Sequence, residues 1–403
     1  MARATAWPIL TAESGLFHPQ LALALGPEIP TYYLAEWIAE NWWALLWEPC
    51  KTEDGGSEPD YLSRHWLPTA QHGFVLPSVH IIPTGERIKI WAVERQAQHA
   101  DARFINRAEV LAKRDDVEGE LAKFIESVVS RAGAFGSSPL QEAWSRIQAT
   151  DSASVEFCQP IGALGLSPYD THEAIERALD SVSSILGRKQ LLDLCLTSTA
   201  EEFVRSAYVA GLMQNALKKA HEVDLSALTA LTPPRDQILA PAWRYGYQAA
   251  RELRSGFSIG ERDIDGASAI FERLNIEPGN KQIMDFRGIA SPISGGIERL
   301  KDNGRMVLSQ DGAASRRFAA GRAAFFFWTS ESEDRRLITD AVTRDQQASR
   351  AFAAELLIPQ AYLRSKAEET KLRWDQAYQI AERATVSLDV IKHQAGNCGL
   401  QLA

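Results

Sequence analysis

The sequence predicts a multi-domain α+β protein, helix-rich with short strands, and three observations carry that prediction. The chain has 403 residues, enough for two or three domains. Long stretches repeat apolar residues at helical spacing, whereas only a few short runs alternate polar and apolar as a half-buried strand does. Hydrophobic residues make up 45% and charged residues 24%, a balance that builds packed cores and argues against long disorder.

Residues 1–115 read as an α/β module. Residues 21–25 (LALAL) form a strand candidate, and the polar run 51–59 (KTEDGGSEP) forms a loop. Ile81-Ile82 leads through the turn Pro83-Thr84-Gly85 into the alternating run 87–93. Between them, residues 34–47 (LAEWIAENWWALLW) have a helical apolar face at 34, 37, 38, 42, 45 and 46, which holds Trp37 and Trp42, while Trp43 and Trp47 add a second stripe four residues apart. Two readings of those tryptophans stay open, a helix buried on two sides or a surface for a partner. Residues 116–235 are helical, with runs at 117–132, 140–149, 169–185 and 191–221. Residues 231–235 (LTPPR) read as a linker. Residues 240–365 form a third domain and 370–403 a small helical tail.

The formal net charge of −9 makes the chain as a whole a poor non-specific binder of nucleic acid. Residues 240–365 hold 18 basic and 16 acidic side chains, so the acidity lies elsewhere and this segment is the better place for an anionic partner. Cys50, Cys158, Cys195 and Cys398 are far apart with no C-x-x-C pair, which suits free thiols in a reducing compartment. No signal peptide or membrane-length apolar run is visible, so the expectation is a cytoplasmic protein without a membrane partner.

In the third domain, residues 243–254 (WRYGYQAARELR) make an amphipathic helix, followed by a loop and a helix at 266–274. Short strands follow at 295–300 and 305–309, then a helix at 315–328 (SRRFAAGRAAFFFW). A strong helix begins at Arg344 and is stopped by Pro359. In this order the opening helix 245–254, the pair Arg317-Phe318 and the stretch 352–359 (FAAELLIP) resemble the ImmA/IrrE family of metallopeptidases. The likeness covers about 125 residues and implies a minimal zincin-like domain near the C-terminus.

In such a domain an H-E-x-x-H helix sets two imidazoles one turn apart, and the glutamate activates zinc-bound water. Counted from Arg317-Phe318, the histidine positions fall on Arg322 and Phe326 and the glutamate position on Ala323. The third, carboxylate ligand falls on Gln346, with Asp345 adjacent but turned away on the helix. A guanidinium has no lone pair to give a metal, and Ala and Phe offer nothing. None of the eight histidines lies in the domain. The expectation is a pseudo-peptidase with no metal, cofactor or zinc peptidase activity. Three readings of Arg322 stay open: a link to a carboxylate such as Asp345, a place in an anion- or partner-binding patch with Arg316 and Arg317, or a solvent-facing side chain.

Other motifs carry less. Gly256-Phe257-Ser258-Ile259-Gly260 matches G-x-S-x-G but follows a helix, where a nucleophile elbow follows a strand. His65, His72 and His80 lack a zinc-ligand spacing and read as ordinary loop and core residues. The tail has two helical runs, with Ser387 as N-cap of the second. Read as a helix-turn-helix, it offers nucleic acid Lys392, His393, Gln394 and Asn397; read as a packed pair, it offers none. The leading function is therefore a non-catalytic regulatory or scaffold protein that holds a protein partner, and the resemblance implies settings such as mobile-element control, stress response or phage defence. The alternative is a nucleic-acid-associated transcriptional regulator using the tail and the arginine patch. A third reading places an enzyme in residues 1–235.

Overall fold

The computed structural model describes residues 31–51, 59–70, 73, 75–96, 103–105, 107–132, 138–236, 240–276, 291–309 and 312–403. The strand expected at 21–25, most of the loop at 51–59, and His72 lie outside the described residues. The architecture is helix-rich α+β with small sheets. Among the described residues no helix is long and apolar enough to cross a membrane. Two compact units emerge, residues 1–173 with 198–201 and residues 174–197 with 202–403. The expected four-part division does not coincide with them: the helical stretch 116–235 is shared between the units, and the tail belongs to the second.

The first unit opens with α1 (Thr31–Glu40) and α2 (Trp42–Trp47), where the sequence suggested one helix. They part at Asn41, whose Nδ2 donates to the Trp37 carbonyl at 2.8 Å, a side-chain bond that competes with the helical ladder. All four tryptophans of this stretch are buried, so the core reading holds and the partner-surface reading falls. Trp42 meets Trp144 edge to face at 5.3 Å, and Trp43 Nε1 donates to Tyr169 Oη at 3.1 Å. After α3 (Pro59–His65) comes a hairpin of β1 (Ser78–Pro83) and β2 (Arg87–Val93). Gly85 turns it at a φ of 80°, which a side chain would resist. The short pair β3 (Arg95–Gln96) and β4 (Arg103–Phe104) precedes β5 (Ala108–Lys113), which pairs antiparallel with β2. Helices α4 (Arg114–Ala132), α5 (Pro139–Gln148) and α6 (Ser152–Ala163) complete the unit. Proline and glycine in α6 hid it from the sequence reading.

The second unit begins with α7 (Glu173–Ser183), α8 (Arg188–Thr197) and α9 (Ala200–Leu217). Next come β6 (Glu222–Asp224), α10 (Ser226–Thr229), α11 (Ala242–Gly256) and α12 (Gly266–Arg273). Then β7 (Ile293–Arg299), β8 (Asn303–Leu308), α13 (Ala313–Thr329), β9 (Arg335–Thr339) and α14 (Arg344–Leu357) form the centre of the unit. The sheet runs β6-β8-β7-β9 and is antiparallel throughout. Ile297 and Met306 face α13, while on the other face Gly296 meets Met213 and Leu217 of α9. Gly246 lets α11 press on α14, since a Cβ there would strike the Ala348 carbonyl. Pro359 ends α14, as expected, but the chain coils again at once as α15 (Gln360–Lys366). The tail holds β10 (Lys371–Leu372), α16 (Trp374–Ala384), α17 (Leu388–Asn397) and β11 (Gln401–Leu402), with Ser387 capping α17.

Candidate functional site

Helix α13 is buried along its whole second half, from Ala319 to Trp328. A run reading AAGRAAFFFW is apolar on every side, as a helix between other layers must be. Arg322 is the one charge in that run, and it is 2% exposed. A buried guanidinium is tolerated only with its donors satisfied. Its Nε donates to Ser349 Oγ at 3.0 Å, and Nη2 donates to Gln346 Oε1 at 2.6 Å and to the Thr339 carbonyl at 2.5 Å. The nearest carboxylate paired with it is the exposed Asp340, at 3.7 Å from Nη1. Burial, and then the neighbouring Arg350, pull the guanidinium down to about 9. It still carries its proton at neutral pH.

Gln346, fully buried, relays the network onward. Its Oε1 also accepts from the Thr339 N–H at 3.2 Å. Its Nε2 donates to the Leu337 carbonyl at 2.7 Å and to Asp193 Oδ2 at 2.8 Å. Asp193, on α8, accepts a second bond from Thr343 Oγ1 at 2.9 Å. Burial raises the Asp193 carboxyl above its ordinary range, against the pull of Arg336 and its two hydrogen bonds. One chain of polar contacts thus ties α13, β9, α14 and α8 together.

The positions singled out in the sequence do meet, but not as expected. Arg322 links α13 to α14 through Gln346 and Ser349 rather than through Asp345. Asp345 instead accepts from Arg336 Nη2 at 2.7 Å, and that guanidinium lies over the Phe326 ring at 5.0 Å. Ala323 is buried in the apolar packing of α13. The solvent-facing reading of Arg322 falls with its burial, and so does the patch of Arg316, Arg317 and Arg322. Arg316 and Arg317 are half-buried, Arg317 donating to Ser268 Oγ at 2.8 Å and lying over Phe271, while Arg322 is inside the protein.

The tail is bound into the same unit. Tyr247 Oη donates to Gln394 Oε1 and accepts from Asn397 Nδ2, both at 2.7 Å. Gln394 Nε2 donates to Glu355 Oε2 at 3.1 Å and to the Ile358 carbonyl at 2.9 Å. Two of the four residues offered to nucleic acid are therefore spent on internal bonds, and Gln394 is fully buried. Lys392 and His393 stay exposed, with Lys392 paired to Asp389 at 3.0 Å. Ser258 lies in the loop after α11, with no strand leading into it.

Asp193, Ser349, Thr339 and Arg336 escaped the sequence reading. Only Asp193 had left a signal, as the lone acid in the apolar run Leu191-Leu192-Asp193-Leu194. Nothing in this donor set fits a zinc ion: a guanidinium and a phenyl ring stand where imidazoles would, and an amide already committed to four bonds stands where a carboxylate would. Among the described residues no group of three or more His, Cys, Asp or Glu side chains is placed to hold a metal. What the arrangement does is mechanical, locking four elements around a charge. No protein-family model, no curated protein and no solved structure matches this chain.

Proposed function

We propose that the second unit is a degenerate, zincin-like relative of the ImmA/IrrE metallopeptidases and that the chain is a non-catalytic regulatory or scaffold protein acting by holding a protein partner. The observation that carries the reading is Arg322, buried and hydrogen-bonded through Nε and Nη2 at the place the resemblance gives to a zinc ligand. A guanidinium there supplies the cross-link between helices that a metal would supply, without Lewis acidity or an activated water. The tail supports this reading over a DNA-reading helix pair, because Gln394 is buried and both Gln394 and Asn397 are bonded to Tyr247.

Metal analysis and a peptide-hydrolysis assay on protein purified without chelator test the first half. The expected results are well below one zinc per chain and no cleavage above background. Stoichiometric zinc lost on Gln346→Ala, or cleavage lost with it, would overturn the proposal. Capture of the tagged chain from its host, followed by reconstitution with the purified partner, tests the second half. Nucleic acid recovered without protein overturns it.

A further inference from the structure

The first unit contains a sheet face that this reading leaves unused. In the β1-β2-β5 sheet, one face carries Ile81, Ile88 and Val110, all buried. Alternation turns their neighbours His80, Arg87, Lys89, Trp91, Val93, Glu109, Leu111 and Lys113 to the other face. That face is buried at Ser78 and Ile82 of β1 and opens toward β5, where Leu111 is 48% exposed; His80, Lys89 and Trp91 are partly buried.

Its chemistry is distinctive. Trp66, fixed by a bond from Nε1 to Ser78 Oγ at 2.9 Å, stacks on His80 at 6.1 Å, and His80 lies 5.1 Å from Trp91. Cations flank the row, Arg95 over Trp66 at 5.0 Å and Lys89 over Trp91 at 5.4 Å. Burial, and then the nearby His65, lower the His80 ring below its ordinary range, so at neutral pH it is an uncharged flat surface. Beyond Trp91 opens a cleft of about 510 Å³, bordered by Val93, Glu94, Arg107 and Glu109. Arg87, Lys89, Arg95, Arg107 and Lys113 give this region five basic side chains in a protein of net charge −9. Against them stand Glu86, exposed beside Arg87, and Glu94 and Glu109, which pair with Arg107 at 3.4 Å and Lys89 at 3.1 Å.

We propose that this face binds single-stranded nucleic acid, with a base stacked on Trp91 in the cleft and the backbone drawn across the basic side chains. Sheet faces with aromatic rings and flanking cations suit an unpaired strand, because every base has a π-face and every linkage a negative charge. A duplex hides its base faces, and an acidic peptide has no use for the ring row. The proposal does not rest on the pseudo-peptidase reading.

The test is fluorescence anisotropy of the full chain with a labelled single-stranded oligodeoxynucleotide of about 12 nucleotides at low salt. Saturable binding is expected, weakening steeply as salt rises. Arg107→Glu combined with Lys113→Glu changes only exposed side chains and should weaken binding at least about tenfold. Trp91→Leu should do the same if it removes one stacked base, about a tenfold effect or more. Should Trp91→Leu fail to fold by circular dichroism, the charge-reversed variant decides alone. No saturable binding, equal binding by the charge-reversed variant, or equally tight binding of a duplex or of polyglutamate overturns the proposal.

Discussion

Each unit of the chain buries a knot of charge, and the two are built on opposite plans. In the first, Glu48 at the end of α2 accepts from Arg64 Nε and Nη2, both at 2.7 Å, and lies 3.0 Å from His65 Nε2. The other ring nitrogen of His65 meets the Ile81 carbonyl at 2.7 Å, and Tyr61 stacks on the ring at 4.1 Å. Charge here meets charge directly. Burial alone would raise the Glu48 carboxyl, but the Arg64 and His65 contacts outweigh it and lower it to about 2. In the second unit Arg322 meets oxygens of an amide, a hydroxyl and a peptide, and the buried carboxylate of Asp193 stands one amide away. There burial wins on both sides, with the guanidinium lowered and the carboxyl raised. A direct ion pair holds both partners charged, whereas a relay of dipoles spreads one charge over several elements and leaves the opposite charge strained.

The most severe way to break the second knot is Arg322→Met. It fits the volume but takes one buried donor from each of Ser349 Oγ, the Thr339 carbonyl and Gln346 Oε1, and leaves Asp193 with less compensation. The expected cost is about 3–5 kcal/mol in urea unfolding, the range for removing one member of a buried charged network. A cost near zero would mean that Arg322 is a passenger in an apolar core and that the four elements hold without it.

Gln346→Glu sharpens the contrast by putting a carboxylate directly against Arg322, on the plan of the first unit. The same change sets that carboxylate against Asp193, where Gln346 Nε2 now donates at 2.8 Å. Two carboxylates at that distance share a proton, so their joint titration moves up. The folded state then binds a proton more tightly than the unfolded chain. The variant should lose about 1–3 kcal/mol at pH 8, the cost of a buried polar contact made unfavourable, and recover as pH falls toward the carboxylate range. Equal loss at pH 8 and pH 5 would show that the repulsion with Asp193 is not its source.

Much of this was legible in the sequence, and the reason for the remainder is physical. Helices α11 and α14 declare themselves by apolar spacing and α13 by an unbroken apolar run, and Pro359 marks an end that the structure keeps. Arg322, alone in an apolar run, announced an unusual environment but not its partners. A sequence gives the face on which Gln346 lies; it does not give the β9 N–H or the α8 carboxylate that reach it from 7 and 153 residues away. Strand β9 was missed because Arg335-Arg336 opens it with two charges, and Arg336 is buried against Asp345, Asp334 and the Phe326 ring. The tail misled in a similar way: Gln394 and Asn397 have the chemistry of base-reading residues, and only the fold shows that Tyr247, Glu355 and Ile358 already engage them.

Acid response separates the two knots with the smallest effect. Glu48 is lower in the fold than its ordinary 4.5, so its stabilisation is fully present above that value and is lost as pH falls toward about 2. Asp193 is higher in the fold, so its contribution has the opposite sign and favours the folded chain more as pH falls from its folded value toward the ordinary carboxylate range. Asp193→Asn keeps the shape, with the amide oxygen accepting from Gln346 and the amide nitrogen donating to Thr343 Oγ1. At pH 7 it should change stability by less than about 1 kcal/mol, because the lost charge was strained by burial. It also removes the gain that offsets the loss at Glu48, so urea midpoints measured from pH 7 down to pH 4 should fall more steeply than in the parent chain. A shallower fall would mean that Asp193 is stabilised as a carboxylate, and the second knot would then be a direct ion-pair cluster like the first.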